Sequence, residues 1–301
     1  MKIVTTVAEV RKTLHALPSS YTIGFVPTMG YLHLGHRSLI QRAKEECDYV
    51  VLSIFVNPIQ FGENEDYEQY PRDINRDARI AENEGVDLLF HPSVEEMYPN
   101  PLLTTVQVEK ITDRLCGKSR PGHFTGVATV VTKLFHIVMP DRAYFGLKDA
   151  QQLAVIEQMV RDLHFPVTIV PCEIVREKDG LAMSSRNVYL SAEERKQATI
   201  LYQALTEVKT KAFRTAAEIN TFVREKIETQ PLAKIEYVET LAYPSLEPIQ
   251  EIKKQQVIVA VAVRFGSTRL IDNVLLNEQE DVFHVSNHDE VKVTSGNCDG
   301  S

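Results

Sequence analysis

Between residues 21 and 172, short apolar runs rich in β-branched and aromatic side chains alternate with longer stretches whose apolar residues recur at helical spacing. Residues Tyr21 to Val26, Tyr49 to Phe55, Val86 to Phe90, Ala143 to Phe145 and Val167 to Val170 read as strands. Arg37 to Glu46, Asp73 to Glu84, Thr125 to Val138 and Asp149 to Leu163 read as helices, stopped by residues such as Gly85 and Pro140. The run from Val50 to Phe55 is apolar on both pleated faces, which a strand tolerates only when both faces of its sheet are covered. The pattern predicts an α/β fold with a doubly wound parallel sheet, holding ligands beyond the carboxyl ends of its strands.

After residue 175 the rhythm changes. A charged helical stretch runs from Ser191 to about Lys211, opened by a capping box between Ser191 and Glu194, and a second runs from about Ala216 to Glu228. Strand-like runs follow at Ile235 to Thr240, Gln256 to Val263 and Arg269 to Asp272, the last two joined through Arg264 to Thr268. The expected division is a first unit over 1–175, a smaller α+β unit over 176–283, and a polar tail, 284–301, that should fray.

Composition narrows the function. A chain of 301 residues with 44% hydrophobic and 25% charged residues folds around buried cores and is neither disordered nor of low complexity. With 33 basic against 41 acidic residues the net charge is -8, which speaks against a broad grip on nucleic acid. Cys47, Cys116, Cys172 and Cys298 stand far apart without a CxxC pair, as in a cytoplasmic protein with reduced thiols. No stretch approaches the roughly 20 apolar residues a bilayer crossing needs, and Met1 to Thr6 do not open a secretory leader. No membrane partner is expected.

Four clusters carry the candidate chemistry. Pro27, Thr28, Met29, Gly30, Tyr31, Leu32, His33, Leu34, Gly35 and His36 connect the first strong strand to its helix. Gly30 and Gly35 permit close backbone approach to a ligand, and the helix N-terminus favours an anion. His33 and His36, three apart, can donate to one phosphate chain; read blandly, they are two satisfied polar residues at a helix start, and no third ligand completes a zinc site. Gly146, Leu147, Lys148, Asp149 and Gln152 lie at a second strand-to-helix turn, with Lys148 a point charge for a phosphoryl group and Asp149 a candidate cap. Met183, Ser184, Ser185 and Arg186 fall in a loop at the expected junction between units, where two hydroxyls and a guanidinium make a phosphate clamp. Asn57 and Gln60 leave a strand end with two amides suited to hydroxyl and carboxylate groups; Tyr70, Arg72 and Arg120 stand in loops nearby. No GxSxG and no Cys near these motifs suggests a covalent nucleophile.

In order and spacing these clusters resemble the pantoate–β-alanine ligase family, of the superfamily of nucleotidylyltransferases and class I aminoacyl-tRNA synthetases. His33 to His36 looks like the superfamily HxGH signature and Met183 to Arg186 like the family's form of the KMSKS-type signature. The matching motifs PTMG, VNPIQFG, RPGHFTGVATVV, FGLKDAQQ and GLAMSSRN extend the resemblance over roughly 20 to 275. It implies a Rossmann-like, HUP-type fold and a two-step ligation: pantoate and ATP give pantoyl-adenylate and pyrophosphate, then β-alanine displaces AMP. It further implies that the stretch from Pro27 to His36, with Gly146 to Asp149, Val175 and Met183 to Arg186, binds ATP. His36, His33, Lys148, Ser184, Ser185 and Arg186 would be catalytic, and Gln60, Gln152, Asn57, Tyr70 and Arg120 would bind pantoate or β-alanine. Mg²⁺ would travel with ATP on phosphate oxygens and water, with no protein metal ligand assigned. A cytoplasmic homodimer is expected. The acidic stretch from Glu63 to Glu68 is not covered by these motifs. An adenylyltransferase acting on a phosphorylated acceptor, and a nucleotide-binding module without catalysis, are the competing readings.

Overall fold

A computed structural model of the chain describes residues 1–276 apart from Asn64, Lys253 and Lys254. The first unit runs β1 (Lys2–Val4), α1 (Val7–His15), β2 (Ile23–Thr28), α2 (Leu34–Glu46), β3 (Tyr49–Ile54), α3 (Ile74–Asn83), β4 (Leu88–Phe90), short helices α4 (Val94–Met97) and α5 (Leu115–Ser119), α6 (His123–Val138), β5 (Arg142–Gly146), α7 (Ala150–Asp162) and β6 (Thr168–Cys172). Its six strands pair in the order β1-β4-β3-β2-β5-β6, every pair parallel. The strand order reverses between β2 and β5, the switch point at which such sheets form a crevice.

The alternation of side chains across the sheet sorts the apolar runs into two cores. Val51, Leu88, Phe90, Ala143 and Phe145 pack with α1, α6 and α7 on one face. Val50, Leu52, Ile54, Leu89 and Tyr144 pack with α2 and α3 on the other. Each buried Val, Leu, Ile or Phe among them contributes roughly 1.5–3 kcal/mol. The doubly wound α/β expectation therefore holds, and the near-continuous apolar strands have this double covering as their cause.

The remaining elements are α8 (Ala192–Ala198), α9 (Ile200–Lys209), α10 (Ala216–Glu228) and the strands β7 (Ala233–Ala242), β8 (Val257–Phe265) and β9 (Thr268–Leu276), which form a three-stranded antiparallel sheet. Strand β8 divides its side chains by parity. Val257, Val259, Val261 and Val263 meet α9 and α10, whereas Ile258, Ala260 and Ala262 join the core of the first unit. Small alanines on that face let the second sheet approach the mouth of the first.

Several boundaries differ from the pattern. The stretch expected as one helix from Ser191 to Lys211 divides at Thr199, although the Ser191–Glu194 capping box forms as expected. Helix α2 begins at Leu34 rather than Arg37, because His33 is its cap. Elements β1 and α1 were not anticipated, although Thr6 and Glu9 form a capping box legible as T-x-x-E. Strand β9 outruns the expected Arg269 to Asp272 because its pairing with β8 starts at Thr268, directly after the Gly266–Ser267 turn, and continues to Leu276 opposite Val257. The expected tail, 284–301, and residues 277–283 lie outside the described residues.

Candidate active site

The first wall of the crevice is the turn after β2. Thr28 Oγ1 donates to the Ser53 carbonyl at 2.8 Å and accepts the Gly30 N–H at 3.2 Å. Gly30 has φ +84°, and a Cβ there would stand 2.9 Å from Ile54 Cγ2, so the turn requires glycine. Beyond it, the Tyr31 and Leu32 N–H groups donate to the Asp77 carboxylate at 2.6 and 2.8 Å, and Arg76 pairs with the same carboxylate at 3.1 Å. Burial lifts the Asp77 carboxyl above its ordinary pKa in spite of these donors. Its one sequence signal is an acid on the stripe of Ile74, Ala78 and Ala81, at core-facing spacing.

The two histidines cap α2 reciprocally. His33 Nδ1 accepts the Gly35 N–H at 3.1 Å and His36 Nδ1 accepts the His33 N–H at 3.3 Å, with ring centroids 4.0 Å apart. A Cβ on Gly35 would meet the His33 ring at 2.9 Å, so only glycine fits under it. Burial, with the Lys148 charge beside it, pushes His33 down to about 4. Burial, then His33 and Lys148, holds His36 well below the ordinary histidine value. Neutral rings with Nδ1 accepting must carry their proton on Nε2, so each offers one N–H donor from its outer edge.

Gln60 leaves β3 through a short 3-10 turn, Pro58–Gln60, and is aimed by its neighbours. Asn57, 1% exposed, donates to Gln60 Oε1 at 3.1 Å and to the Gly126 carbonyl at 3.2 Å, and accepts from the Tyr98 hydroxyl at 2.8 Å. Its hydrogen-bonding capacity is thereby largely spent on holding Gln60, whose Nε2 lies 3.0 Å from Met29 Sδ. His123, at the start of α6, was not singled out in the sequence. Arg120 donates to His123 Nε2 at 3.0 Å, which puts the imidazole proton on Nδ1, where it donates to the Gln60 carbonyl at 2.8 Å. Burial and Arg120 lower His123 to about 4. The RPGH spacing, a cation three residues before a histidine at a helix start, was the available signal.

Two further walls face these. Lys148 follows β5, and its carbonyl and that of Leu147 both accept from Asn273 Nδ2 at 2.9 Å, so a residue of β9 fixes the turn. Asp149 precedes α7 but makes no side-chain cap bond; its carboxylate lies 3.8 Å from Lys148 Nζ. Past β6 the chain doubles back through Gly180, φ +92°, with the Met183 N–H donating to the Val175 carbonyl at 3.0 Å. This fold-back sets Ser184, Ser185 and Arg186 beside Val175.

Pro27, Thr28, Met29, His33, Gly35, His36, Asn57, Gln60, Tyr70, Arg120, Gly146, Lys148, Asp149, Gln152, Val175, Met183, Ser184, Ser185 and Arg186 line one pocket of about 240 Å³. A neighbouring cavity of about 580 Å³ shares Arg120, Lys148, Gln152, Ser184 and Arg186 and reaches Arg269 and Asp272 of the second sheet. Gly30, Tyr31, Leu32, Leu34 and Leu147 do not line either: Leu32 is fully buried, and Leu34 is half exposed. The acidic stretch outside the motifs enters the site. Glu65 takes Arg120 at 2.7 and 2.5 Å, and Asp66 takes Arg186 at 2.9 and 2.8 Å.

The sequence profile of the family described as pantoate-beta-alanine ligase matches residues 2–275. A pantothenate synthetase of Geobacillus sp. (strain WCH70) is 61% identical over 259 residues, covering 85% of this chain and 92% of its own. One of Bacillus thuringiensis (strain Al Hakam) is 58% identical over 280 residues, covering 92% and 99%. The crystal structure of pantothenate synthetase from Thermus thermophilus is 49% identical and superposes with a TM-score of 0.84, covering 91% of this chain and 99% of that one. The pantoate-beta-alanine ligase of Francisella tularensis, complexed with beta-gamma ATP and beta-alanine, is 36% identical with a TM-score of 0.77, covering 91% and 97%. With its six parallel strands, its histidine-capped turn and its junction loop in their company, the chain belongs to the pantoate-beta-alanine ligase family, enzymes of pantothenate biosynthesis.

Proposed function

We propose that this crevice joins pantoate to β-alanine at the expense of ATP, through pantoyl-adenylate. The observation that carries the reading is the convergence, at the β2–β5 switch point, of two neutral Nε2–H donors with Lys148 and the Ser184–Arg186 loop. The pantoate carboxylate attacks the α-phosphorus and pyrophosphate leaves; the amine of β-alanine then attacks the acyl carbon and AMP leaves. Both partners in the first step are anionic, so the site must cancel charge and hold the atoms in line. His33 and His36 donate to the phosphate chain, Lys148, Ser184, Ser185 and Arg186 receive its remaining oxygens, and Gly146, Asp149 and Val175 frame the adenosine. Gln60 and Gln152 grip the organic acid, with Asn57, Tyr70 and Arg120 supporting them. The beta-gamma ATP and beta-alanine in the complex of the Francisella relative support the same substrates here.

Mg²⁺ belongs to this reading as a companion of the nucleotide that offsets its charge. Among the described residues no group of three or more His, Cys, Asp or Glu could hold a metal ion, so phosphate oxygens and water would carry it. We read the β7–β9 unit, within the division 1–175 and 176–283, as a cover over the mouth. The cytoplasmic assignment rests on free Cys47, Cys116 and Cys172, and no helix among the described residues is long and apolar enough to cross a membrane.

A homodimer is supported by the stretch after α4. From Met97 to Val108 there is no charged residue, Leu103 is 96% exposed, and the backbone from Pro101 to Thr105 makes no backbone hydrogen bond among the described residues. An uncharged stretch with unpaired backbone groups can pair with its own two-fold copy without repulsion. Leu103→Asp should shift sedimentation from dimer to monomer.

The test of the reaction is stoichiometric. Pantoate and ATP should release pyrophosphate, AMP should appear in proportion to added β-alanine, and His36→Ala should lower turnover by about 10²-fold or more. Nucleotidyl transfer to a phosphorylated acceptor, with no dependence on pantoate, would replace this reading by the adenylyltransferase.

A further inference from the structure

Two arginines in the crevice, Arg186 and Arg120, are each held by a carboxylate from one short acidic loop. Asp66 accepts from Arg186 Nε at 2.9 Å and Nη2 at 2.8 Å, the two-pronged geometry that phosphate also demands of a guanidinium. Glu65, its neighbour in sequence, accepts from Arg120 Nε at 2.7 Å and Nη2 at 2.5 Å. The loop is braced to present them. Arg72 donates to the Tyr67 carbonyl at 2.7 Å and the Tyr70 carbonyl at 3.1 Å, and the Tyr189 hydroxyl donates to the Gln69 carbonyl at 2.8 Å. Arg186 lies 5.7 Å from the centre of the Tyr70 ring.

We propose that Asp66 and Glu65 are internal competitors for the two anion-binding arginines, so that ATP exchanges with Asp66 on Arg186 and the organic acid exchanges with Glu65 on Arg120. This rests on the reading of Arg186 as a phosphate arm and Arg120 as an acid arm. The forked hydrogens of Arg186 that point at Asp66 cannot at the same time serve a phosphate oxygen. Both carboxyls are raised by burial, yet the hydrogen bonds and charge of their arginines outweigh it and keep them below the ordinary carboxylate range. They therefore stay ionised, and competent to compete, throughout the neutral range. The exchange sets affinity without adding a chemical step: neighbouring residues of one loop tune two substrates separately.

Direct calorimetric titration with ATP and with pantoate tests this. Asp66→Asn should tighten ATP binding by about two- to fivefold, the worth of a partly exposed ion pair, and leave pantoate binding unchanged. Glu65→Gln should do the reverse, and Asp66→Glu, which keeps the charge, should stay near the parent affinity. In an Arg186→Gln background, Asp66→Asn should no longer change ATP affinity. Weaker or unchanged ATP binding by folded Asp66→Asn, joint changes in both ligands, or equal tightening with Arg186 removed would each overturn the exchange. If Arg186→Gln alone leaves ATP affinity intact, the phosphate-arm reading itself fails; if it weakens ATP while Asp66→Asn has no effect, only the exchange does.

Discussion

The His33 backbone N–H donates to His36 Nδ1 at 3.3 Å, and this bond decides which nitrogen of His36 carries its proton. With His33 Nδ1 in turn accepting the Gly35 N–H, the cap that starts α2 also turns two Nε2–H donors outward. A structural device and a binding device are thus the same pair of rings.

Both rings should be neutral during turnover. His33 titrates at about 4, and His36 is held well below 6.5. Imidazole proton resonances followed by NMR should show neither midpoint near 6.5, and kcat should carry no inflection from these groups between pH 6 and 8. A His36 midpoint near 6.5 would overturn the assignment.

The same shifts make stability depend on pH. The unfolded chain protonates its histidines near 6.5, whereas folded His33 and His123 wait until about 4. Folding therefore gains from their neutral forms above pH 6.5, and that gain is lost as the pH falls from 6.5 to 4. The melting temperature should fall over this window. His33→Asn, whose side-chain oxygen can still cap Gly35, should make the fall shallower.

Asp77 satisfies two N–H groups of the Gly30–Leu32 turn while 1% exposed. Asp77→Ala leaves those donors and Arg76 without their acceptor, so a loss of about 2–4 kcal/mol is expected in denaturant unfolding. Turnover should fall with it, since the turn carries His33. Unchanged stability would show that the turn holds its shape without the carboxylate.

Gly126 sits where α6 meets the Gln60 turn. A Cβ there would stand 2.4 Å from the Ile59 carbonyl and 2.6 Å from Gln60 Cα. Gly126→Ala should raise KM for pantoate more than KM for ATP and cost about 1–3 kcal/mol of stability. Equal effects on both substrates would argue against Gln60 as the pantoate residue.

Asn273 reaches from β9 to the carbonyls of Leu147 and Lys148, both at 2.9 Å. Asn273→Ala should lower kcat about tenfold through lost positioning of the Lys148 turn, and should cost about 1–3 kcal/mol of stability because a buried donor to two carbonyls is lost. Recovery in Asn273→Gln is not expected, because the longer arm displaces the amide.

What the sequence determined by itself is what local chemistry dictates. The alternation of apolar strands and helices announced a sheet covered on both faces, and the glycines at 30 and 35 marked a turn that other residues would strain or crowd. The motifs after β2, β3 and β5 were legible because each one ends a strand, and parallel strands put their carboxyl ends on one side. Thr6 and Glu9 were legible too, though α1 was not anticipated from them. Tertiary structure decided which groups meet across long separations in the chain. Asp77 under the Tyr31 turn, Asp66 on Arg186 and Asn273 on the Lys148 turn are pairs 46, 120 and 125 residues apart. Nothing in the residues flanking Asp66 distinguishes it from a solvated surface acid; only the packing of the junction loop against its own loop gives it a partner. The same holds for the histidines: their spacing identified them, but burial and the α2 cap, which exist only in the folded chain, decided their charge and the nitrogen that bears the proton.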